Sequence, residues 1–261
     1  KGVVMRPNKI KELWRQGKPA SVGWISSGNT LIAEVLAHAG FDGIVIDMQH
    51  GMALNADKAV ACMQAISTTE TVPIVRVPWN DPKEIQTVLD AGAYGIIVPL
   101  VNTYEEAAQA AAAAKYPPAG FRSNGPNRAT LYAGGSDYFA RANDEIFVLV
   151  MIETEEGLEN LEEIAKAPGI DGFYIGPADL AIGLGITPGP GMQDDPKHVA
   201  ACKRILEVAQ NNGLVACHHG GTTAEDAIRR FKEGFLMAQL GSDVGYVRAA
   251  ASAALDAVAK S

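Results

Sequence analysis

The chain has 261 residues and a formal net charge of −8, and this acidic balance without a polybasic run excludes a nucleic-acid surface, which needs clustered Lys and Arg to displace phosphate counterions. Hydrophobic residues make up 48% and charged residues 20%, near globular averages, so a disordered chain is excluded and one large core is within reach. Three scattered cysteines fit neither a disulfide framework nor a zinc pattern, no apolar run approaches the roughly 20 residues of a bilayer span, and the N-terminus shows no charged-then-apolar signal, so a cytoplasmic protein with no membrane partner is expected.

Short β-branched runs alternate with Ala-rich amphipathic stretches along the whole chain, the pattern of parallel strands joined by crossover helices. In order, a strand over 20–25 leads to a helix over 30–39, and 43–48 to 56–66. Next, 73–77 leads to 82–91, 95–99 to 104–114, and 147–152 to 155–165. Finally, 172–175 leads to 195–211, 214–218 to 223–232, and 235–240 to 244–259. Several helices stop at glycine turns such as Ala39-Gly40 and Asn212-Gly213. Eight such units predict an α/β fold, a closed (β/α)8 TIM barrel forming one domain over 1–261. An open dinucleotide-binding sheet fits less well, because Ser26-Ser27-Gly28-Asn29 after the first strand is no Gly-x-Gly-x-x-Gly. Two connections, 115–144 and 176–194, exceed what a barrel needs. They are either functional loops or plain insertions.

Catalytic groups of such a barrel sit where strands end. Those positions carry Trp24, Asp47, His50, Arg76, Glu153 and Asp179. Glu153 and Asp179 follow apolar runs on adjacent strands. They either grip a hard divalent cation through oxygen or favour the positive ends of the following helices. Arg76 either binds an anionic substrate in a fork or pairs structurally with a mouth carboxylate. His50, three residues after Asp47, suits a general base oriented by that carboxylate. His218 and His219 close the seventh strand before Gly220-Gly221, where substrate contact or a phosphate turn is conceivable. His38 and His198 fall on helices, and no lysine ends a strand, which argues against Schiff-base chemistry.

Read together, these residues resemble the HpcH/HpaI class II aldolases, the hydroxy ketoacid aldolase family. The resemblance rests on Ala39-Gly40-Phe41-Asp42 leading to Asp47-Met48-Gln49-His50-Gly51, and on Arg76 with Trp79-Asn80-Asp81-Pro82. Leu89-Asp90-Ala91-Gly92-Ala93, Gly120-Phe121-Arg122, Ile152-Glu153-Thr154 and Ile175-Gly176-Pro177-Ala178-Asp179-Leu180 complete it. Together they run nearly end to end.

The resemblance implies an aldehyde-lyase that makes or cleaves 4-hydroxy-2-oxo acids from a pyruvate or hydroxypyruvate enolate and an aldehyde. It implies Glu153 and Asp179 as ligands of Mg²⁺, Mn²⁺ or Co²⁺, and Arg76 as the group that stabilises the enolate oxygen. His50, with Asp47, is implied as the proton carrier. Gly176, Pro177 and Ala178 are implied around the substrate carboxylate, with Trp24 shaping the pocket. Asp90 resembles a residue that reaches a neighbouring subunit's site, so the resemblance further implies a homo-oligomer, a hexamer built as a trimer of dimers exchanging their last helix. Two positions depart from the family pattern: Met151 stands where many members have Gln, and Gln49 where many have Glu. These departures imply a changed acceptor range. Competing expectations are a decarboxylase or C–C ligase using the same enolate, as in barrels resembling macrophomate synthase or citrate lyase β-subunits, and a non-catalytic barrel.

Overall fold

Eight strands pair in sequence order, every neighbour parallel, and the last returns to the first to close a barrel. They are β1 (Ala20–Ile25), β2 (Gly43–Asp47), β3 (Val72–Arg76), β4 (Gly95–Val98), β5 (Phe147–Ile152), β6 (Gly172–Ile175), β7 (Val215–His218) and β8 (Met237–Ser242). The structure is a computed structural model describing residues 5–52, 55–133, 135–220 and 223–260. Strands β2 to β6 are buried throughout, because one face fills the barrel and the other lies under helices. This explains why they read as continuous Val/Ile runs and not as alternating ones.

Helix α1 (Lys9–Arg15) precedes the first strand. Helices α2 (Thr30–His38), α3 (Ala56–Ile66), α4 (Pro82–Asp90) and α5 (Tyr104–Ala114) follow β1 to β4. Asn29, Asn55, Asp81 and Thr103 cap these four through their side chains, which fixes the turn from each strand end into its helix. The long 115–144 connection carries α6 (Ala129–Ala133) and α7 (Gly135–Glu145). After β5 the expected single helix is two short ones, α8 (Glu155–Glu159) and α9 (Leu161–Ile164). They part at Asn160, whose side-chain amide donates to the Asn102 carbonyl at 2.9 Å. After β6 come α10 (Pro177–Gly183), a 3-10 turn over Met192–Asp194, and α11 (Pro196–Asn211). Helix α12 (Ala224–Glu233) follows β7, and α13 (Asp243–Ala259) ends the chain.

Two differences from the sequence reading matter. The last strand runs Met237–Ser242, two residues later than expected, because Gly234 ends α12 in a left-handed conformation and Phe235 and Leu236 form the lower turn. Helix α1 was not anticipated. Its Ile10 is fully buried, and Trp14 packs on Phe147 with ring centroids 5.0 Å apart while donating to the Leu236 carbonyl. It covers the rim where the strands begin. No helix among the described residues is long and apolar enough to cross a membrane.

Candidate active site

At the opposite rim, where the strands end, lies a cavity of about 410 Å³. Trp24, Asp47, His50, Arg76, Gly176, Pro177, Ala178 and Asp179 all line it, so the fold gathers eight of the ten expected site residues at one opening. Asp47 and Arg76 are level neighbours on β2 and β3. The Arg76 guanidinium donates to both carboxylate oxygens, Nε at 2.9 Å and Nη2 at 2.6 Å. Trp24 donates to the same carboxylate at 3.3 Å, and its ring lies 4.9 Å from the guanidinium carbon. Burial pushes the Asp47 carboxyl up, but Arg76, the His50 N–H and Trp24 outweigh it and hold it below the ordinary carboxylate range.

This geometry corrects one expectation. Asp47 was to orient the His50 imidazole; instead its Oδ1 accepts the backbone N–H of Gln49 at 3.0 Å and of His50 at 3.2 Å. Two backbone donors and a guanidinium saturate the carboxylate, so it fixes the turn that carries His50. The exposed imidazole lies at the cavity wall. The expected structural pairing of Arg76 is therefore real, and it holds the guanidinium at the cavity edge.

Glu153 lies just behind the lining, against Gly176. Its Oε1 accepts the Leu100 N–H at 2.8 Å, and its Oε2 is buried without a hydrogen-bond partner. Leu100, the one described non-glycine residue with positive φ, at 53°, holds a strained conformation of the kind that clusters at functional sites. Burial pushes the Glu153 carboxyl up, and so does the neighbouring Asp179 charge. The Leu100 N–H and Arg76 oppose them, and the outcome is a pKa of about 7. Asp179 stands in the first turn of α10, whose N-cap Gly176 offers no side chain. Because Pro177 has no N–H, the first free donors of that helix belong to Ala178 and Asp179.

A buried carboxylate oxygen without a donor, close enough to a second carboxylate to be raised by it, fits a divalent cation. Among the described residues no cluster of three His, Cys, Asp or Glu forms; Glu153 and Asp179 would be a cation's protein ligands, and water or substrate oxygens would have to complete its shell. Gly176 makes room: a Cβ there would lie 2.3 Å from Glu153 Oε2 and 2.9 Å from Met151 Cε. Gly176→Ala is thus expected to displace the carboxylate and weaken cation binding about tenfold or more, while the fold, at φ −91°, survives. Calorimetric Mn²⁺ titration of a folded variant, judged by thermal unfolding, checks this; unchanged affinity would refute it.

Asp90 does not join the site. It ends α4, hence lies at the rim where strands begin, and pairs with the buried Arg122 at 2.7 Å. Sequence reasoning missed several lining groups: Ser26, Met192, Gln193, Gln239 and Ser242. Gln193 comes from the proline-rich 176–194 connection, which thus forms part of the cavity wall. His218 is structural. It is fully buried, receives the Gly220 N–H at 2.8 Å and packs on Phe235. His219 does line the cavity, edge-on to Trp24 with centroids 4.4 Å apart, its Nδ1 3.2 Å from the Tyr174 hydroxyl. Burial and the Arg76 charge pull it down to about 3, so it is neutral. Gly221 of the expected phosphate turn lies outside the described residues.

The sequence profile of the HpcH/HpaI aldolase/citrate lyase family matches residues 20–250. The chain is 40% identical over 247 residues to a hydroxypyruvate/pyruvate aldolase of Rhizorhabdus wittichii, covering 94% of this chain and 96% of that one. It is 35% identical over 256 residues to a 5-keto-4-deoxy-D-glucarate aldolase of Escherichia coli, covering 97% and 98%. Among solved structures, an HpcH/HpaI aldolase/citrate lyase family protein of Burkholderia cenocepacia superposes with a TM-score of 0.88 at 31% identity, covering 96% of this chain and 99% of that one.

Proposed function

The chain belongs to the HpcH/HpaI aldolase/citrate lyase family, and on that premise we propose that it is a divalent-metal-dependent class II aldolase, an aldehyde-lyase that forms or cleaves 4-hydroxy-2-oxo acids. The observation that carries this reading is the unpartnered, buried Oε2 of Glu153, a carboxylate that feels the charges of both Asp179 and Arg76. The donor is pyruvate or hydroxypyruvate and the acceptor an aldehyde, in keeping with the name of the Rhizorhabdus relative.

Glu153 and Asp179 would hold the cation, Mg²⁺, Mn²⁺ or Co²⁺, which would supply Lewis-acid polarisation of the 2-oxo acid. Ala178 and Asp179 N–H groups at the start of α10 receive the substrate carboxylate. Arg76, pinned by Asp47, places fixed positive charge where negative charge develops on the 2-oxo oxygen, and it need not reorganise during the reaction. His50, at the cavity wall, takes the proton of the 4-hydroxyl as the C3–C4 bond breaks and returns a proton to C3 of the enolate to give the 2-oxo acid; addition runs both transfers in reverse. Trp24 walls the pocket and keeps the guanidinium in place.

The decisive experiment is pyruvate release from a 4-hydroxy-2-oxo acid before and after EDTA treatment, with add-back of Mg²⁺, Mn²⁺ or Co²⁺. Activity is expected to vanish with chelation and return with the cation. Release indifferent to EDTA defeats the proposal.

Assembly is part of the same reading. Helix α13 buries only Asp243, and its Leu255 and Val258 are each 73% exposed; Leu31 and Val35 of α2 are 67% and 59% exposed. A second copy that exchanges its last helix covers such surface, and a trimer of such dimers makes the hexamer. Asp90 with Arg122 then faces a neighbouring site. Sedimentation velocity is expected to show a hexamer, and Leu255→Glu with Val258→Glu to dissociate it; a monomeric unaltered protein would sink this part.

A further inference from the structure

We infer that Gln239 is a specificity-determining residue whose amide accepts a hydroxyl of the incoming aldehyde, so that the substrate class is the hydroxylated aldehydes; this rests on the aldolase reading above. Gln239 lies mid-strand on β8, level with Val22 of β1, and is one of the residues around the cavity. It is 5% exposed, and its Oε1 has no hydrogen-bond partner. A buried amide oxygen without a donor is costly, and an apolar side chain of similar shape would avoid the cost. The preceding residues of the strand, Met237 and Ala238, are apolar and fully buried, so packing alone gives no reason for an amide.

Its neighbours do not satisfy it. Trp24 donates to Asp47, and His219 bonds the Tyr174 hydroxyl through Nδ1. Gln193 spends its amide on the Gly220 carbonyl at 3.1 Å and on Arg230 at 2.7 Å. The backbone around Gln239 is fixed as well. Gly220 takes φ +69°, and a Cβ there would lie 2.5 Å from the Gln239 carbonyl oxygen. The chain leaving β7 therefore presses directly on β8 and gives the amide a settled base.

Position decides which part of the substrate the amide meets. The oxo acid is held by Glu153, Asp179 and the start of α10, at the ends of β5 and β6, whereas Gln239 stands on β8, two strands further round the closed sheet. The aldehyde occupies that side. Its reacting carbonyl offers no proton to an amide oxygen, so the donor that Oε1 lacks comes from a hydroxyl elsewhere on the aldehyde.

The test compares kcat/KM for D-glyceraldehyde and for propanal, with pyruvate and saturating Mn²⁺, in the unaltered protein, Gln239→Leu and Gln239→Met. Both variants exchange a buried amide for an apolar group of like size, and thermal unfolding verifies that they fold. The preference for glyceraldehyde over propanal is expected to fall about tenfold or more, through loss of the glyceraldehyde rate, with propanal changed less than about threefold. An unchanged ratio, or an equal fall for both aldehydes, overturns the inference and leaves the amide to an internal water. If the unaltered protein makes no aldol from either aldehyde, the aldolase reading fails. Saturation-transfer NMR then decides the inference by itself: stronger binding of glyceraldehyde than propanal that disappears in Gln239→Leu supports it, and equal binding of the two refutes it.

Discussion

Replacing Arg76 with Ala is expected to lower kcat a hundredfold or more, with a smaller change in KM for the oxo acid. On the proposed aldolase reading the guanidinium faces charge that appears only as the reaction proceeds, so its loss falls on the transition state more than on binding, and single donors at such positions are worth about 2.7–4 kcal/mol. The same substitution removes one half of a buried ion pair with two direct hydrogen bonds. It leaves Asp47 charged in a site only 3% exposed, so a stability loss of about 3–5 kcal/mol is also expected. The two effects separate in a double-mutant cycle with Asp47→Asn. Asp47→Asn placed on Arg76→Ala relieves the uncompensated carboxylate and restores much of the thermal stability, but not the rate. Arg76→Lys keeps the charge and loses the fork, so intermediate activity is expected. Steady-state kinetics beside thermal unfolding decide the matter; kcat within threefold of the unaltered enzyme would remove Arg76 from the mechanism.

Glu153→Gln is expected to be more severe. Loss of an anionic ligand takes away several kcal/mol of charge stabilisation, on the order of a thousandfold in rate. It also changes pH behaviour in a defined direction. The carboxyl must be deprotonated to hold a cation, and without one it titrates near 7. Cation loading therefore releases a proton, and apparent affinity falls about tenfold for each unit below pH 7. The cation-free fold shows the converse. Because the carboxyl is raised from 4.5 to about 7 in the folded chain, the folded state binds the proton more tightly than the unfolded one. The associated stability is full below pH 4.5 and is lost as pH rises through 7. Glu153→Gln flattens both dependences. Mn²⁺ titration by calorimetry and thermal unfolding in chelator, each between pH 4.5 and 8, provide the check. A variant that keeps the unaltered protein's pH slope would show that Glu153 is not the titrating ligand.

The barrel was legible because its signal is repetitive. Eight apolar runs, each followed by a capped amphipathic stretch, leave few other topologies, and β1, β5 and β6 fall on the residues expected. Residues at strand ends were legible for the same reason, since the end of a buried run is visible in sequence and in a barrel it is also a place at the rim. What escaped is whatever depends on contacts between distant segments. Leu100 serves Glu153 through its backbone N–H, and no side chain announces that role. Gln239 lay within the expected 235–240 strand, but that run does not tell which of its two faces borders the cavity. Helix α1 has seven residues, too few for periodicity to speak. Asp47 was correctly placed at the rim but given the wrong partner, because sequence proximity suggested the His50 ring while the neighbouring strand supplied Arg76.

Helix α1 seals the rim where the strands begin, with Ile10 and Trp14 packed beneath the barrel. The cavity lies at the other rim with the packed barrel interior between them, so a substitution in α1 reaches it only through the core and is felt first as lost stability.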